Sequence, residues 1–213
     1  MRAVLRAHGQ PRWYQPGEIM MLHGSAADVV MLIEHGVVKV AVTAVDGRTT
    51  VLAYRCAGDV IGEMGVVDRG TRTATVVAVD RVRVSVIPAS AFLSEVRSRP
   101  DVAASIMSTL VVRLRDADRE RVLGPRTPAR ARIARKLLEL IDRRGRSVAD
   151  GAVIEIRLTQ QDLAAAAGVG LRSASRELPR LRHLGLIDYT RGHFTVLDPA
   201  GLARVANELN VSD

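Results

Sequence analysis

The most informative part of this chain is residues 59–74, which read DVIGEMGVVDRGTRTA. A short apolar pair leads into Gly62, which has no Cβ to keep a ligand away from the backbone N–H groups. If a helical turn begins at Glu63, the free N–H groups of that turn should attract an anion. Arg72 adds a planar, permanently charged donor, and Thr73 adds a hydroxyl.

The carboxylate of Glu63 indicates what kind of anion this is. An acid beside an anion site is useful where it accepts a hydrogen bond, for example from a sugar hydroxyl. Backbone amides, an arginine, a hydroxyl and an acceptor together predict a pocket for a sugar phosphate.

Length and composition are those of a globular protein with two small domains, or with one domain and a substantial appendage. The chain has 213 residues, of which 47% are hydrophobic and 25% are charged. Its formal net charge is +8. The 16 basic and 13 acidic residues before Pro125 leave +3, and the 15 basic and 10 acidic residues after it leave +5. The larger excess in the shorter C-terminal part is expected if that part binds nucleic acid.

Cysteine and histidine usage argues against several kinds of site. Cys56 is the only cysteine, which excludes an intrachain disulfide, a four-cysteine iron–sulfur cluster and a cysteine-based zinc site. The five histidines show no metal-ligand spacing, so we expect no metal. No run of 18 apolar residues and no signal peptide is visible, so we expect a cytoplasmic protein without membrane association.

Residues 16–87 predict a small antiparallel β-barrel or roll. Short apolar runs alternate with turn residues at a spacing of roughly ten residues, and Asp46-Gly47 is a strong hairpin signal. The predicted strands are 19–22, 29–33, 37–43, 49–54, 75–79 and 82–87. Residues 1–14 could form a short helix or a loose arm.

A short helix over 89–96 and a long helix over about 101–122 are predicted next. Five apolar side chains of the long helix recur at helical spacing and should share one stripe. They are Val102, Ile106, Leu110, Leu114 and Ala117. Met107, Val111 and Val112 widen the stripe beyond what one small roll would cover. The helix either packs on its own domain or pairs with a second copy, and we favour a homodimer.

Residues 158–197 predict a winged helix-turn-helix. Gly124-Pro125 should form the linker before it, with Thr127 as the N-cap and Pro128 as the first residue of a helix ending near 144–145. A loop to Gly151 and a strand over 153–158 are expected next. Thr159 and Asp162 then have the spacing of a capping box, and Gly168 lies in a tight turn.

The second helix of this motif should run from Leu171 to His183. Four leucines are expected on its inner side: Leu171, Leu178, Leu181 and Leu184. Three arginines are expected on its outer side: Arg172, Arg176 and Arg180. Pro179 should bend or interrupt the helix, so Arg180 is a weaker candidate for DNA contacts. An arginine face can be an ordinary solvated surface, but the hairpin that follows at 186–197 (with Arg191-Gly192 as its turn) favours DNA binding. A last short helix, capped by Asp198-Pro199, should reach about Leu209.

This order of elements resembles the CRP/FNR superfamily of bacterial transcription regulators over residues 14–197. The most specific segments are Gly58–Gly65, Arg72-Thr73-Ala74 and Leu158–Leu163 with Gly168. The resemblance implies a homodimer that binds a cyclic nucleotide in the roll and a palindromic double-stranded DNA operator.

The fold implied by the resemblance is α+β with three parts. Residues 1–99 would be an N-terminal antiparallel β-roll, the cyclic-nucleotide-binding jelly roll. Residues 100–124 would be a long dimerisation helix and hinge, and residues 125–213 would be a C-terminal winged helix-turn-helix domain.

The resemblance also gives roles to the first stretch. Gly62 would offer a backbone N–H, Glu63 would accept from the ribose 2′-hydroxyl, and Arg72 and Thr73 would hold the cyclic phosphate. The rest of this ligand-binding turn is Met64 and Gly65. A single cysteine cannot ligate the cluster of the FNR branch, so the chain looks like the cyclic-nucleotide branch.

The base-binding part departs from the pattern of cyclic-AMP receptors, whose long helix offers a Thr-Ser pair. The aligned residues here are Ala117, which cannot hydrogen-bond, and Asp118. Asp118 could accept from an adenine amino group, but it suits the N1–H and N2–H₂ edge of guanine at least as well. Cyclic AMP is the first candidate through its prevalence among such regulators, and cyclic GMP is the second. Alternatively, Asp118 pairs with Arg115 or Arg121 of its own helix.

The recognition helix departs from the family pattern as well. Arg176 is retained and could pair bidentately with a guanine, whereas Arg172 replaces the usual glutamate. Cytosine readout at the position of Arg172 should therefore be lost, and we expect an operator different from the family's best-known one. Leu171 takes the first position of the pattern. The remaining predicted DNA contacts, mostly to phosphates, are Thr159, Gln160 and Ser173.

The sequence therefore predicts a ligand-responsive, homodimeric, DNA-binding transcription regulator, with RNA polymerase as a further partner if it activates. One alternative is a constitutive regulator, or one responding to another metabolite, with a vestigial nucleotide pocket. Another is an enzyme acting on a nucleotide, but no nucleophile–base pair supports catalytic residues. A third is an interaction module without DNA binding.

Overall fold

The computed structural model describes residues 1–45, 47, 49–123, 127–148, 151–154, 158–190 and 193–208. The chain divides into two compact units, Met1–Val122 and Leu123–Asp213. Several predicted features lie outside the described residues: Asp46, the linker Gly124-Pro125, positions 155–157, the turn Arg191-Gly192 and the end of the last helix at Leu209.

The first unit contains two four-stranded antiparallel sheets, which confirm the predicted β-roll. In spatial order, one sheet has β1 (Gln10–Tyr14), β8 (Val82–Pro88), β3 (Val29–His35) and β6 (Val60–Ile61). The other has β2 (Ile19–Met21), β7 (Thr75–Ala78), β4 (Val37–Thr43) and β5 (Thr49–Cys56). The period-two alternation along β8 buries Val82 and Val84 and leaves Arg83 exposed. The valines join the core inside the roll.

Four helices of the described part of this unit accompany the roll. They are α1 (Arg2–Ala7), α2 (Glu63–Val67), α3 (Ala89–Ser98) and α4 (Pro100–Leu123). A second core cluster joins them to the outer side of β3, with Leu5, Phe92 and Ile106 among its buried members. Residues 1–14 are thus a short helix followed by a strand. The strand was not predicted because its first four residues, QPRW, are exposed and carry no burial pattern.

One side of α4 packs on the roll, and this side differs from the predicted stripe. Val102 and Ile106 are buried and Leu110 packs against them as expected, but Leu114 is 59% exposed. The partly buried Arg113 continues the inner stripe instead. At 3.6 residues per turn, a run spaced by four drifts around the helix, so Leu114 has turned away from the side that Ile106 faces.

The second unit combines helices with a four-stranded antiparallel sheet. Its described helices are α5 (Ala129–Arg144), α6 (Gln160–Ala166), α7 (Leu171–His183) and α8 (Pro199–Ala206). In spatial order the strands are β11 (Ile187–Thr190), β12 (His193–Val196), β10 (Gly151–Ile154) and β9 (Gly145–Val148). The helix α5 contacts α6, α7 and α8, and Leu137 and Leu178 are fully buried in this core.

Several local predictions in this unit were wrong. The helix α5 has Pro128 itself as N-cap, one residue later than predicted, because Pro128 has an extended ψ of 143°. Residues 145–148 are strand β9, paired with β10, where a loop was expected. Leu171 and Leu184 are 49% and 57% exposed, because they lie at the two ends of α7, beyond the buried stripe of Ala174, Leu178 and Leu181.

Candidate functional site

Glu63 is the first residue of α2 and is almost completely buried, at 2% exposure. The helical turn predicted at this position exists, and its N-cap is Gly62 in the left-handed region, at φ 81°. A Cβ on Gly62 would lie 2.7 Å from Nη1 of Arg72 and 2.7 Å from Cε of Met21. Glycine is therefore required here for both its backbone conformation and its lack of a side chain.

Arg72 lies beside this turn, at 4% exposure. Its Nη1 donates to the carbonyl of Gly62 at 3.0 Å, and its Nη2 donates to the carbonyl of Val29 at 2.8 Å. Nη2 also approaches Asp28 Oδ1 at 3.4 Å. Burial lowers the pKa of the guanidinium, while Asp28 and Glu63 act in the opposite direction. The site therefore combines a buried cation, which can donate to an anion, with the carboxylate of Glu63, which can accept a hydrogen bond.

Arg113 of α4 completes this cluster, and it was not predicted from the sequence as a site residue. Its Nη1 donates to Glu63 Oε1, and its Nη2 donates to the Val60 carbonyl at 2.7 Å. The side chain of Arg113 is 18% exposed. A signal for it existed: Arg113 follows Ile106 and Leu110 at helical spacing, so it is a charged residue on the stripe that faces the roll. A charge in that position needs a buried partner.

The other predicted ligand residues lie around Glu63 and Arg72. Thr73 is exposed and directly follows Arg72. Met64 is 47% exposed, whereas Gly65 is buried, where a Cβ would lie 2.7 Å from the Thr71 carbonyl oxygen. The structure thus brings the predicted phosphate and ribose residues together in one part of the roll.

Asp118 lies on a different side of α4 from Arg113. It follows Arg113 by five residues, which is about 7.5 Å along the axis and roughly 140° around it. Asp118 instead continues an exposed row in which Met107, Val111 and Leu114 precede it at spacings of four, three and four. Ala117, not Asp118, shares the side of Arg113.

The second candidate surface is the outer side of α7. Arg172 and Arg176 are exposed on it, as predicted. The helix is not interrupted at Pro179, so Arg180 belongs to the same exposed row. The carbonyl of Ser175, which would have accepted from residue 179, lies on the exposed side, where water can bind it.

Residues predicted to contact phosphates lie at the starts of α6 and α7. Thr159 caps α6 by accepting from the backbone N–H of Asp162 at 3.0 Å, which confirms the predicted cap. The Thr159 hydroxyl also donates to Asp162 Oδ2 at 2.7 Å, so its proton is engaged. Gln160 and Ser173 are partly exposed, and Leu171 is exposed.

Glu177 is the functional candidate on α7 that sequence reasoning missed. Glu177 is 5% exposed, and its carboxylate accepts hydrogen bonds from both Arg176 and Arg180. The pattern carried a signal, since Arg180 follows the acid by three residues, a spacing at which side chains on a helix meet.

Two features are absent from the described residues. No group of three or more His, Cys, Asp or Glu side chains is placed to hold a metal ion. No described helix is long and apolar enough to cross a membrane.

Comparison with known proteins identifies both units. Residues 11–99 match the family model for the cyclic nucleotide-binding domain, and residues 131–205 match that for the Crp-like helix-turn-helix domain. The chain is 32% identical over 197 residues to the cyclic AMP receptor protein of Thermus thermophilus, covering 92% of this chain and 88% of that protein. It is 27% identical over 204 residues to the CRP-like cAMP-activated global transcriptional regulator of Mycobacterium tuberculosis, covering 96% and 91%.

The fold is shared with a solved structure as well. FixK2 of Bradyrhizobium japonicum superposes with a TM-score of 0.82 at 22% identity, covering 94% of this chain and 98% of that one. At this identity the likeness concerns the fold alone.

Proposed function

The chain belongs to the CRP/FNR family of DNA-binding transcription regulators, and we propose that it acts as a homodimer gated by a cyclic nucleotide. Cyclic AMP is the first candidate effector and cyclic GMP is the second. Such a regulator would act in the cytoplasm and, as an activator, would contact RNA polymerase.

The ion pair between Glu63 and Arg113 supports ligand gating most directly. Glu63 belongs to the proposed ribose site, and Arg113 belongs to α4, the helix that leads in sequence to the DNA-binding unit. A ribose 2′-hydroxyl that donates to Glu63 would share the carboxylate with Arg113. Effector binding therefore changes the contact that holds α4 to the roll. The effector shifts the protein toward the DNA-competent state only if it binds that state more tightly.

The phosphate half of the site would work by competition at Arg72. A guanidinium has five N–H groups, and the two carbonyls and Asp28 engage those of Nη1 and Nη2 only in part. A cyclic phosphate would replace the neutral carbonyl acceptors of Gly62 and Val29 with charged oxygens, which form stronger hydrogen bonds. Thr73 would add its exposed hydroxyl.

The exposed row on α4 supports the homodimer. Met107, Val111 and Leu114 are 60%, 46% and 59% exposed, although they are large and apolar. Spacings of four and three match the seam of a two-helix coiled coil. Since Asp118 continues this row, we assign its contact with a nucleotide base to the site of the second copy.

DNA recognition would use the outer side of α7. In a two-fold dimer, two copies of this helix would enter successive major grooves about 34 Å apart. Arg176 would pair with O6 and N7 of a guanine. Arg172 occupies the position of the family's glutamate, so the contact that this glutamate makes with a cytosine would be lost.

Calorimetry tests the effector. The chain is titrated with cyclic AMP and with cyclic GMP at protein concentrations well above micromolar, in parallel with Arg72→Ala. We expect heat from at least one nucleotide and none from the variant. No heat with either nucleotide would contradict the proposed gating and favour the alternative of a vestigial pocket. Ala117 is the observation that favours this alternative, because its side chain offers no hydrogen bond to a base.

Operator selection from a random duplex library tests the DNA proposal. Arg176→Ala should relax the preference at one base pair per half-site, at a cost of about 1–3 kcal/mol. Arg182→Ala is the matched control, because Arg182 lies on the same helix and pairs with Asp188 at 2.8 Å. Equal effects of the two variants would show that Arg176 does not read a base.

A further inference from the structure

Glu177 is the only acidic residue of α7, and it is buried on a helix whose outer side is basic. Arg176 Nε donates to Glu177 Oε1 at 2.9 Å. Arg180 Nη1 donates to both carboxylate oxygens, at 3.1 and 3.3 Å. One buried carboxylate therefore holds two arginines whose side chains are 62% and 59% exposed.

Core packing does not explain an acid at this position. Its buried neighbours on the helix are Ala174, Leu178 and Leu181, so an apolar side chain would fit the stripe. Burial alone would raise the pKa of Glu177, but the hydrogen bonds and charges of Arg176 and Arg180 hold that pKa below its ordinary value. The residue is therefore an anion at neutral pH.

An anion here also weakens simple attraction to DNA. Binding to phosphates depends on the number of positive charges that the protein presents. Glu177 offsets part of the charge of the two arginines, so a surface selected only for phosphate affinity would not carry it. What the carboxylate does provide is orientation of its partners.

The contacts select one edge of each guanidinium. Among the described residues, the contacts of Arg176 leave both terminal nitrogens, Nη1 and Nη2, available as a parallel fork. Those of Arg180 leave Nε and Nη2. Each remaining pair of N–H groups has the geometry that bidentate contact with O6 and N7 of a guanine requires.

We propose that Glu177 is a positioning residue for sequence recognition, which holds Arg176 and Arg180 so that each presents one defined edge to the bases. This inference rests on the proposed reading of DNA by α7. Preorganised arginines lose less side-chain freedom when they bind the correct bases, whereas contacts with phosphates alone gain little from a fixed edge. Glu177 thus lowers the affinity for DNA of any sequence and raises the preference for the correct bases.

The test compares the full-length wild type with E177Q and E177M. Affinity is measured for the operator selected by the wild type and for an unrelated duplex of equal length, with and without cyclic AMP. D188N is the matched control, because Asp188 is also an acid paired with an arginine of α7, namely Arg182, near the other end of the helix. Thermal melting of each variant gives its folded fraction.

We expect E177Q and E177M to lower the ratio of specific to non-specific affinity about tenfold, which is within the range for one bidentate base contact. Their affinity for the unrelated duplex should stay equal or rise, because one negative charge is lost. D188N should leave the ratio within about twofold of the wild type.

Three results would overturn the inference. They are an unchanged ratio in both Glu177 variants, an equal loss in D188N, or a parallel fall in both affinities together with a lower melting temperature. Operator selection with R176A distinguishes failure of this inference from failure of the proposed function. If R176A relaxes one base pair and the Glu177 variants do not, only the inference fails; if R176A changes no preference, the proposed reading of DNA fails and the inference fails with it.

Discussion

At the residue scale, the proposed effector site is already satisfied by contacts of the protein itself. Glu63 pairs with Arg113, and Arg72 donates to the carbonyls of Gly62 and Val29. Charged groups buried without partners would cost several kcal/mol, so these contacts stabilise the protein when no ligand is present. An effector must therefore replace existing contacts, which couples its binding to the position of α4.

Arg113→Ala should lower the free energy of unfolding by about 3 kcal/mol, because it leaves the buried Glu63 carboxylate unpaired. Glu63→Gln in the same chain should recover much of this loss, since the uncompensated charge is then gone. Urea unfolding of both single variants and of the double variant measures the coupling. Additive effects would show that the two side chains do not interact. Arg115→Ala, an exposed position on the same helix, should change stability by less than about 0.5 kcal/mol.

Gly62→Ala should weaken the proposed cyclic-nucleotide binding, because a Cβ would lie 2.7 Å from Nη1 of Arg72 and displace it. Gly17→Ala is a close control: Gly17 has φ 85°, nearly that of Gly62, but nothing lies within 4 Å of its Cβ position. Both variants should lose about 1–2 kcal/mol of stability from the left-handed backbone. Only Gly62→Ala should also reduce the calorimetric affinity, by tenfold or more. Equal affinities in the two variants would contradict the steric explanation.

At the element scale, Glu34 joins three elements of the roll. Its Oε1 accepts from the Ser85 hydroxyl of β8 at 2.7 Å and from Arg6 of α1 at 2.9 Å. Its Oε2 pairs with Arg83 at 3.1 Å. The hydrogen bond from Ser85, with the charges of Arg6 and Arg83, lowers the pKa of Glu34 despite its burial.

This pKa shift predicts a pH-dependent contribution to stability. A carboxyl whose pKa is lower in the folded state stabilises the protein above its unfolded pKa, about 4.3, and loses that effect as pH falls through the folded value. At pH 7, Glu34→Gln should therefore be less stable than the wild type by about 1–2 kcal/mol, and the difference should shrink below about pH 4. Urea unfolding from pH 7 to pH 3 measures it, and a difference independent of pH would contradict it. Asp101→Asn, at an exposed carboxylate 3.8 Å from Arg99, should show a much smaller difference throughout.

The same scale shows which elements local sequence can predict. The strands β4 and β8 and the helices α4 and α7 came within one or two residues of their predicted bounds, because their burial follows the period of a strand or a helix. The strands β1 and β9 were missed, because their side chains carry little burial pattern. Both are edge strands: β1 pairs only with β8, and β9 pairs only with β10. Backbone hydrogen bonds to that one neighbour define each strand, and the side chains show little alternation of burial that the sequence could reveal.

At the scale of the whole molecule, the proposed homodimer depends on one side of α4. Val111 and Val112 are neighbours of similar exposure, 46% and 51%, but they point about 100° apart around the helix. Val111 lies in the row with Met107 and Leu114, whereas Val112 lies away from both that row and the roll. The two valines therefore form a matched pair for testing the interface.

Val111→Glu should dissociate the dimer, with a dimer Kd at least about 100-fold higher, because a charge would be buried at the seam. Val112→Glu should leave the dimer intact, since its side chain stays in water. Sedimentation velocity at several concentrations distinguishes monomer from dimer. Dissociation by both variants, or by neither, would contradict an interface on this row.

The sequence by itself determined the order of the elements apart from β1 and β9, the residues that we propose for the phosphate and ribose half of the site, and the arginine face of α7. These depend on local patterns: a glycine turn, a capping residue, and apolar periods that one segment contains in full. Only the tertiary structure decided that Glu63 is paired with Arg113, fifty residues away along the chain, and which side of α4 packs on the roll. Once that side is known, helix geometry turns Asp118 and Leu114 away from it. Such contacts depend on which sides of distant elements pack together, and no local period encodes that.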